Sequence, residues 1–263
     1  MSIFEGRVAL VTGAGSGIGE AAALAFAQAG AEGVVLAGRR REELERVAAR
    51  VAEYGATSLV VPTDVSRDAE VVQLIEQTLT RFNRLDAAFN NAGIEGAFAP
   101  IAELTEAQFD ATISINLKGV WLCCKHELAA MHRLGAAGAV VNTSSWLAHG
   151  AFPGSSIYSA SKAGLDGMIR ALALEFAADG IRINNVNPGA IDTPMFRRFA
   201  DDAAAIPFMN HTPARRLGTS DDVAQVVVWL CSDAAGFVTG QNLLVDGGYA
   251  IPGHRTWTTQ KIT

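Results

Sequence analysis

With 263 residues, of which 49% are hydrophobic and 18% charged, the chain has ample material for one sizeable α/β core and lacks the composition of a disordered polymer. Its net charge of -6, with Arg39-Arg40-Arg41 the one short basic cluster, argues against a nucleic-acid surface and leaves a small molecule as the expected partner. Cys123, Cys124 and Cys231 show no C-x-x-C spacing, no window reaches the ~18 apolar residues of a spanning helix, and no basic-then-apolar leader opens the chain, so a cytoplasmic protein without disulfides or membrane contact is expected.

The first strand is predicted over Val8 to Val11 and runs into Thr12-Gly13-Ala14-Gly15-Ser16-Gly17-Ile18-Gly19, which opens a helix over Ile18 to Gln28. Glycines let the backbone approach a pyrophosphate there, and the free amides and dipole of the helix N-terminus stabilise its charge. The common G-x-G-x-x-G spacing fails, because Ile18 and Glu20 stand where its last glycine would fall, whereas T-G-x-x-x-G-x-G fits. Gly13, Ser16, Gly17, Ile18 and Gly19 are the expected cofactor contacts. A tight turn without a ligand is the blander alternative, weakened by the strand before it and the helix after it.

A second strand, Val34 to Leu36, leads to Gly38-Arg39-Arg40. An acid at about this distance from the turn normally takes the ribose 2′-hydroxyl of NAD. Glycine followed by Arg39 and Arg40 instead removes repulsion toward a 2′-phosphate and supplies bidentate donors, so NADP is preferred. NAD stays open if the arginines are only the solvated start of the next helix, Arg41 to Glu53.

Further strands are predicted at Ser58 to Val61, Ala87 to Phe89, Ala139 to Asn142, Ile181 to Val186 and Asn242 to Val245. Helices are predicted at Asp68 to Phe82, Thr105 to Arg133, Ser156 to Ala178 and Ser220 to Cys231. Strands apolar on both faces and separated by helices indicate a doubly wound parallel sheet of about seven strands, covered on each side, as one domain over residues 1–263. Residues 188–218, with Pro194, Pro207 and Pro213 among Phe196, Phe199, Phe208 and Met209, read as an irregular apolar flap over a site. The tail after Gly248 has no periodicity and is expected to pack on a neighbouring subunit.

Tyr158-Ser159-Ala160-Ser161-Lys162 sets a phenol and an ammonium on one helix face. A lysine charge near a phenol favours phenolate and lowers its pKa toward a useful range for proton transfer. By chance the same spacing gives an idle surface pair. The preceding strand, however, ends Val141-Asn142-Thr143-Ser144-Ser145, which brings a hydroxyl to the carboxyl end of a central strand, where open α/β sheets hold ligands. His126, His132, His149, His211 and His254 show no paired ligand spacing, so no metal site is expected, and Cys123-Cys124 reads as buried packing.

These residues resemble the short-chain dehydrogenase/reductase family over nearly the whole chain. The glycine turn, Asp64-Val65, Asn90-Asn91-Ala92-Gly93, Asn116-Leu117-Lys118-Gly119, Ser144-Ser145, Tyr158 to Lys162 and Asn187-Pro188-Gly189 stand in that family's order. The resemblance implies an NAD(P)-dependent oxidoreductase moving a hydride between nicotinamide and a ketone or secondary alcohol. Tyr158 would be its acid/base, Lys162 would hold the nicotinamide ribose and depress the Tyr158 pKa, and Ser145 would hydrogen-bond the substrate oxygen. Asn116 would bind a water in a proton relay or, more blandly, satisfy a helix irregularity. Asp64 and Val65 would contact adenine, Asn91 and Ala92 would line the cofactor, and Pro188, Ile191 and Thr193 would embrace the carboxamide. Asp64 and Thr193 could also be plain helix caps. The Val238 to Gln241 and Asp246 to Gly248 segments match a region that implies a homotetramer.

Substrate identity stays open in the sequence. Arg197, Arg198, Arg215 and Arg216 are candidates to receive the arm of a 3-oxoacyl thioester, whereas the flap phenylalanines suit a compact apolar ketone or alcohol, the reading preferred. Trp146 and His149 follow Ser145 and either border the substrate or pack peripherally. A non-catalytic NADP-binding sensor is the rival of another class; it would need only the glycine turn and adenine pocket.

Overall fold

Seven strands, the central ones buried on both faces, align in one parallel sheet in a computed structural model that describes residues 3–251. In chain order they are β1 (Val8–Thr12), β2 (Gly33–Gly38), β3 (Thr57–Pro62), β4 (Ala87–Asn90), β5 (Ala139–Thr143), β6 (Arg182–Pro188) and β7 (Asn242–Val245). In space they run β3-β2-β1-β4-β5-β6-β7. The helices are α1 (Gly17–Gln28), α2 (Arg41–Ala52), α3 (Asp68–Phe82), α4 (Glu106–Ile113), α5 (Val120–Leu134), α6 (Ser156–Glu175), α7 (Pro194–Arg197), α8 (Asp202–His211) and α9 (Ser220–Cys231). None of them is long and apolar enough to cross a membrane.

Alternation along each strand divides the core into two layers. Ala9, Val11, Val34, Leu36, Phe89 and Val141 pack under α1, α2 and α9, while Val8, Leu10, Val35, Val140 and Ile183 pack under α3, α5 and α6. Each fully buried Val, Leu or Phe stabilises the fold by about 1.5–3 kcal/mol relative to exposure. Strand order reverses between β1 and β4, and a crevice opens there at the carboxyl ends of the strands, the place where this sheet type holds ligands.

One polar row crosses the second layer. Asn90, Asn142, Asn185 and Asn242 are register partners on β4 to β7, and their amides pass hydrogen bonds along at 3.1, 3.0 and 2.9 Å. The row meets two buried carboxyls: Glu127 of α5 accepts from Asn90 at 2.8 Å, and Asp166 of α6 accepts from Asn185 at 3.0 Å. Buried amides placed in register supply one another with partners, and Asn90 Oδ1, at the β4 end, is left without one.

Three expectations need correction. The helix predicted over Thr105 to Arg133 is split into α4, a π-helical turn Ser114–Gly119, and α5. Its cause lies in the loop after β4: Asn116 in the turn pairs both amide atoms with the Ile94 backbone, at 2.8 Å each, and Gly119 sits where a Cβ would come 2.8 Å from Val65. The helix predicted to Ala178 ends at Glu175 and passes through a 3-10 turn to Gly180 at φ 70°. The 188–218 stretch, read as irregular, contains α7 and α8, each opened by a side-chain cap, Thr193 and Asp201. Four residues, and ten interrupted by Pro207, are too few to print a helical period in the sequence. The expected packing of the tail on another subunit falls, from Pro252 on, outside the described residues.

Candidate active site

The turn after β1 accepts glycine for reasons visible in its contacts. Gly13 has φ 65°, and a Cβ there would come 2.9 Å from Ala92 Cα, while one on Gly19 would come 2.2 Å from the Gly13 carbonyl. Asn91 fastens this turn to β4: its Nδ2 donates to the Thr12 and Gly13 carbonyls at 3.4 Å each, and Thr143 Oγ1 donates to its Oδ1 at 3.2 Å. Thr12 Oγ1 in return accepts from the Asn91 and Ala92 amides. Ser16 precedes α1 without capping it, so the helix's first amides have no side-chain partner, as a diphosphate site requires.

A cleft of about 1190 Å³ extends from this turn across the sheet ends. That exceeds the roughly 300–1,000 Å³ of ordinary small-molecule sites and leaves room for a dinucleotide with a substrate. Gly13, Ser16, Gly17, Ile18, Arg39, Arg40, Asp64, Val65, Asn91, Ala92, Ser145, Tyr158, Lys162, Pro188, Ile191 and Thr193 all line it. Gly19 and Asn116 do not: Gly19 lies beneath the turn and Asn116 lies behind the loop that follows β4. Gly38 meets only ordinary contact, with Leu44 at 3.5 Å from an added Cβ. Neither Arg39 nor Arg40 hydrogen-bonds another described side chain, whereas Arg41 pairs with Glu45 and Arg46 with Glu20. Burial raises the Asp64 carboxyl, but two hydrogen bonds from Ser66 and the charges of Arg39 and Arg67 outweigh it and hold the group below its ordinary value. Arg67, not Asp64, precedes α3, which removes the capping alternative; Thr193 does cap α7.

Helix α6 presents Tyr158, Lys162 and Asp166 on successive turns. Lys162 is buried, its Nζ donates to the Thr143 carbonyl at 2.7 Å and stands 5.7 Å from the Tyr158 ring centroid. Burial pulls Lys162 down to about 8, against the pull of Asp166. The expected depression of Tyr158 by Lys162 is not seen in the chain alone: burial pushes the phenol up to about 12, Glu95 adds to this, and a hydrogen bond from Ser145 opposes it. The physical reason is burial, which outweighs the other influences on the phenol, while the Lys162 ammonium donates to the Thr143 carbonyl. Gly93 separates Lys162 from Asn116; a Cβ there would come 3.3 Å from Asn116 Oδ1 and 3.9 Å from Lys162 Nζ.

Asp166, Phe98, Phe152 and Tyr249, which the sequence did not single out, complete the site together with residues that it did. Asp166 Oδ2 accepts from Asn187 Nδ2 at 3.0 Å, the same nitrogen reaches the Ser145 carbonyl at 3.1 Å, and His149 Nε2 stands 3.0 Å from Asp166 Oδ2. The segment bearing Ser145 is thereby tied to α6. The signal was present, because Asp166 follows Lys162 by four residues. A wall of rings faces Tyr158: Phe98 at 5.9 Å, then Phe152 and Phe208, with Trp146 against Tyr249 at 4.7 Å. The mouth arginines prove to be paired, Arg197 with Asp192 and Asp202, Arg198 with Glu95, and Arg216 with Asp222.

A family model described as Enoyl-(Acyl carrier protein) reductase matches residues 13–250. Over 246 residues the chain is 42% identical to cis-4-hydroxycyclohexanecarboxylate dehydrogenase of Sinomonas cyclohexanicum, covering 94% of this chain and 97% of that one. The chain belongs to the short-chain dehydrogenase/reductase family. Another relative of this short-chain dehydrogenase/reductase is cyclohexanol dehydrogenase of Acinetobacter sp. (strain SE19), 38% identical, with 94% and 96% covered. The crystal structure of levodione reductase superposes with a TM-score of 0.90 at 39% identity, over 94% of this chain and 98% of that chain. The protein is thus an oxidoreductase that uses a nicotinamide cofactor and acts on CH-OH and C=O groups of small molecules.

Proposed function

We propose that this enzyme interconverts a compact cyclic or aryl ketone and its secondary alcohol, with NADP as preferred cofactor and NAD as the weaker one. The observation that carries the reading is the ring wall of Phe98, Phe152 and Phe208 beside Tyr158 and Ser145, an apolar recess with two hydroxyls at its base. One relative is named for an uncharged cyclohexane-ring alcohol and another for a carboxylated one, so the relatives support a ring alcohol as substrate and differ in its charge.

When bound, the cofactor supplies or takes up the hydride at its nicotinamide ring. Gly13, Ser16, Gly17 and Ile18 would hold its diphosphate, with Gly19 making room beneath them. Asp64 and Val65 would hold adenine, Asn91 and Ala92 the cofactor beside β4, and Pro188, Ile191 and Thr193 the carboxamide. Arg39 and Arg40, which hydrogen-bond no other described side chain and follow a glycine, suit a 2′-phosphate. Ser145 donates to the substrate oxygen, and Tyr158 gives it a proton in reduction and removes one in oxidation. Buried, the Tyr158 phenol near 12 is a poor base at neutral pH, and Lys162, which would hold the nicotinamide ribose, is the cation that would favour its ionisation in oxidation. Asn116 fixes the loop beside Lys162, and the flap at 188–218 closes the substrate recess.

A 3-oxoacyl thioester is disfavoured because Arg197, Arg198 and Arg216 are each neutralised by a carboxylate. A mere NADP sensor would not need Ser145, Tyr158 and Lys162 converging on one recess. Exposed Leu243 and Leu244 on edge strand β7, with Trp229 and Phe237, and a second exposed pair, Phe109 and Trp121, give two apolar faces, as a homotetramer needs. Three buried free cysteines suit a reducing, cytoplasmic setting. The test is a panel of cyclic and aryl ketones assayed with both cofactors, alongside Tyr158→Phe. Cofactor binding retained with reduction lost supports the reading; no turnover of any ketone or alcohol by the unmodified enzyme overturns it.

A further inference from the structure

A two-pronged ion pair stands at the substrate end of the cleft. Arg198, immediately after α7, sets its Nε 2.6 Å from Glu95 Oε1 and its Nη2 2.8 Å from Glu95 Oε2, joining the flap to the loop after β4 across 103 residues. Both residues line the cleft. Among the described residues, the other cations lining it are Arg39, Arg40, Arg46 and Lys162. The first two follow β2 and Arg46 lies on α2, at the end of the cleft away from Ser145, and Lys162 is buried with its ammonium on the Thr143 carbonyl. Arg198 is therefore the cation positioned to receive an anion beside the ring wall, and Glu95 occupies both arms of its fork.

Glu95 also stands where its charge is felt at Tyr158, the residue next to which any substrate oxygen must lie. A carboxylate entering the recess would meet this repulsion and could gain Arg198 only by displacing Glu95. We propose that Glu95 sets the charge selectivity of the substrate site: by holding Arg198 it makes the enzyme accept uncharged ring ketones and reject carboxylated ones of the same shape. This rests on the ketone reading given above. Because Arg198 and Glu95 keep partial solvent exposure, the selection is modest, about five- to tenfold for the pair.

Two ketones of matched shape separate charge from fit: 4-oxocyclohexanecarboxamide and 4-oxocyclohexanecarboxylate. The unmodified enzyme is expected to favour the carboxamide in kcat/KM by at least about fivefold. Glu95→Gln should shrink that ratio by about five- to tenfold or invert it, by releasing Arg198. Arg198→Gln, which leaves Glu95 unpaired, should widen it. The ratio cancels any general loss of activity in a variant. A ratio near one in the unmodified enzyme, or one unchanged by Glu95→Gln, overturns the proposal. If neither ketone reacts at all, the ketone reading falls instead, and calorimetric binding of cyclohexanecarboxylate and cyclohexanecarboxamide to the enzyme with oxidised cofactor decides the charge question. Tighter binding of the carboxylate alone in Glu95→Gln sustains charge selection; equal changes for both ligands overturn it.

Discussion

Glu127→Gln should stabilise this protein, but only where the carboxyl is ionised. Glu127 is fully buried in α5; its Oε2 accepts from Asn90 at 2.8 Å and its Oε1 meets no partner. Burial raises the carboxyl from 4.5 to about 7, with the Asn90 hydrogen bond pulling the other way. A folded-state pKa above the unfolded value means that the fold prefers the protonated group. The corresponding stability is complete below about pH 4.5 and is lost as pH rises through 7. At pH 8 the buried carboxylate costs about 3 kcal/mol, from 1.36 kcal/mol per pKa unit over the rise from 4.5 to about 7. Glutamine keeps the shape without the charge. For a chain of this size about 1 kcal/mol moves Tm by roughly 2–4 °C, so the variant should melt about 6–12 °C higher at pH 8 and almost unchanged at pH 4.5. Differential scanning calorimetry of both proteins between these pH values reads the difference. A gain equal at every pH, or a loss at pH 8, would refute the assignment of a strained buried carboxylate.

Asp166→Asn puts an amide opposite the donors of Asn185, Asn187 and His149, so stability should fall by about 2–4 kcal/mol and kcat/KM should fall with it as the Ser145 segment loosens; unchanged Tm would sink this. Tyr158→Phe should lower kcat by roughly 10²–10⁴ with cofactor affinity kept, measured by fluorescence titration beside turnover. Alcohol oxidation should rise with pH, because the required phenolate forms only as pH climbs toward a phenol lying near 12 before cofactor binds, and ketone reduction should favour lower pH; opposite slopes would remove Tyr158 as the titrating group. NADPH should exceed NADH by about ten- to a hundredfold in kcat/KM, since each charge-assisted hydrogen bond to a 2′-phosphate contributes roughly 1.5–3 kcal/mol. Gly38→Asp with Arg39 neutralised should reverse that order, and an unaltered preference for NADH would refute the role of Arg39.

Strand positions were legible because their signal is intrinsic: Val8 to Val11 and Asn242 to Val245 are apolar runs of the right length, and they stand where predicted, to within a residue. The glycine turn, Ser145, Tyr158 and Lys162 were legible because chemistry fixes their spacing within short segments. Asp166 had only its spacing after Lys162 to mark it, whereas Glu95 acts through Arg198, 103 residues away in the chain, and no local pattern announces such a pairing. The π turn was hidden for the same reason, since its cause is the Ile94 backbone on another element. The pKa of Tyr158 went the other way because a side-chain spacing predicts proximity, whereas burial of both groups is a property of the closed sheet.

The asparagine row has a bearing on how the enzyme comes into being. Its partners are 52, 43 and 57 residues apart along the chain, so each link closes a long loop and none forms early. Sliding β4, β5 or β6 by one residue would turn its asparagine into the layer of Val11, Leu36 and Phe89, where an amide finds no partner. Misaligned sheets are thus penalised at several strands together. Asn185 and Asn187, two residues apart on β6, both terminate on Asp166, so alignment of the sheet and seating of Ser145 are completed in one event. A chain whose β6 is out of register therefore lacks the Asn187 link to Ser145 as well, so an error of sheet alignment is at once an error of the active site.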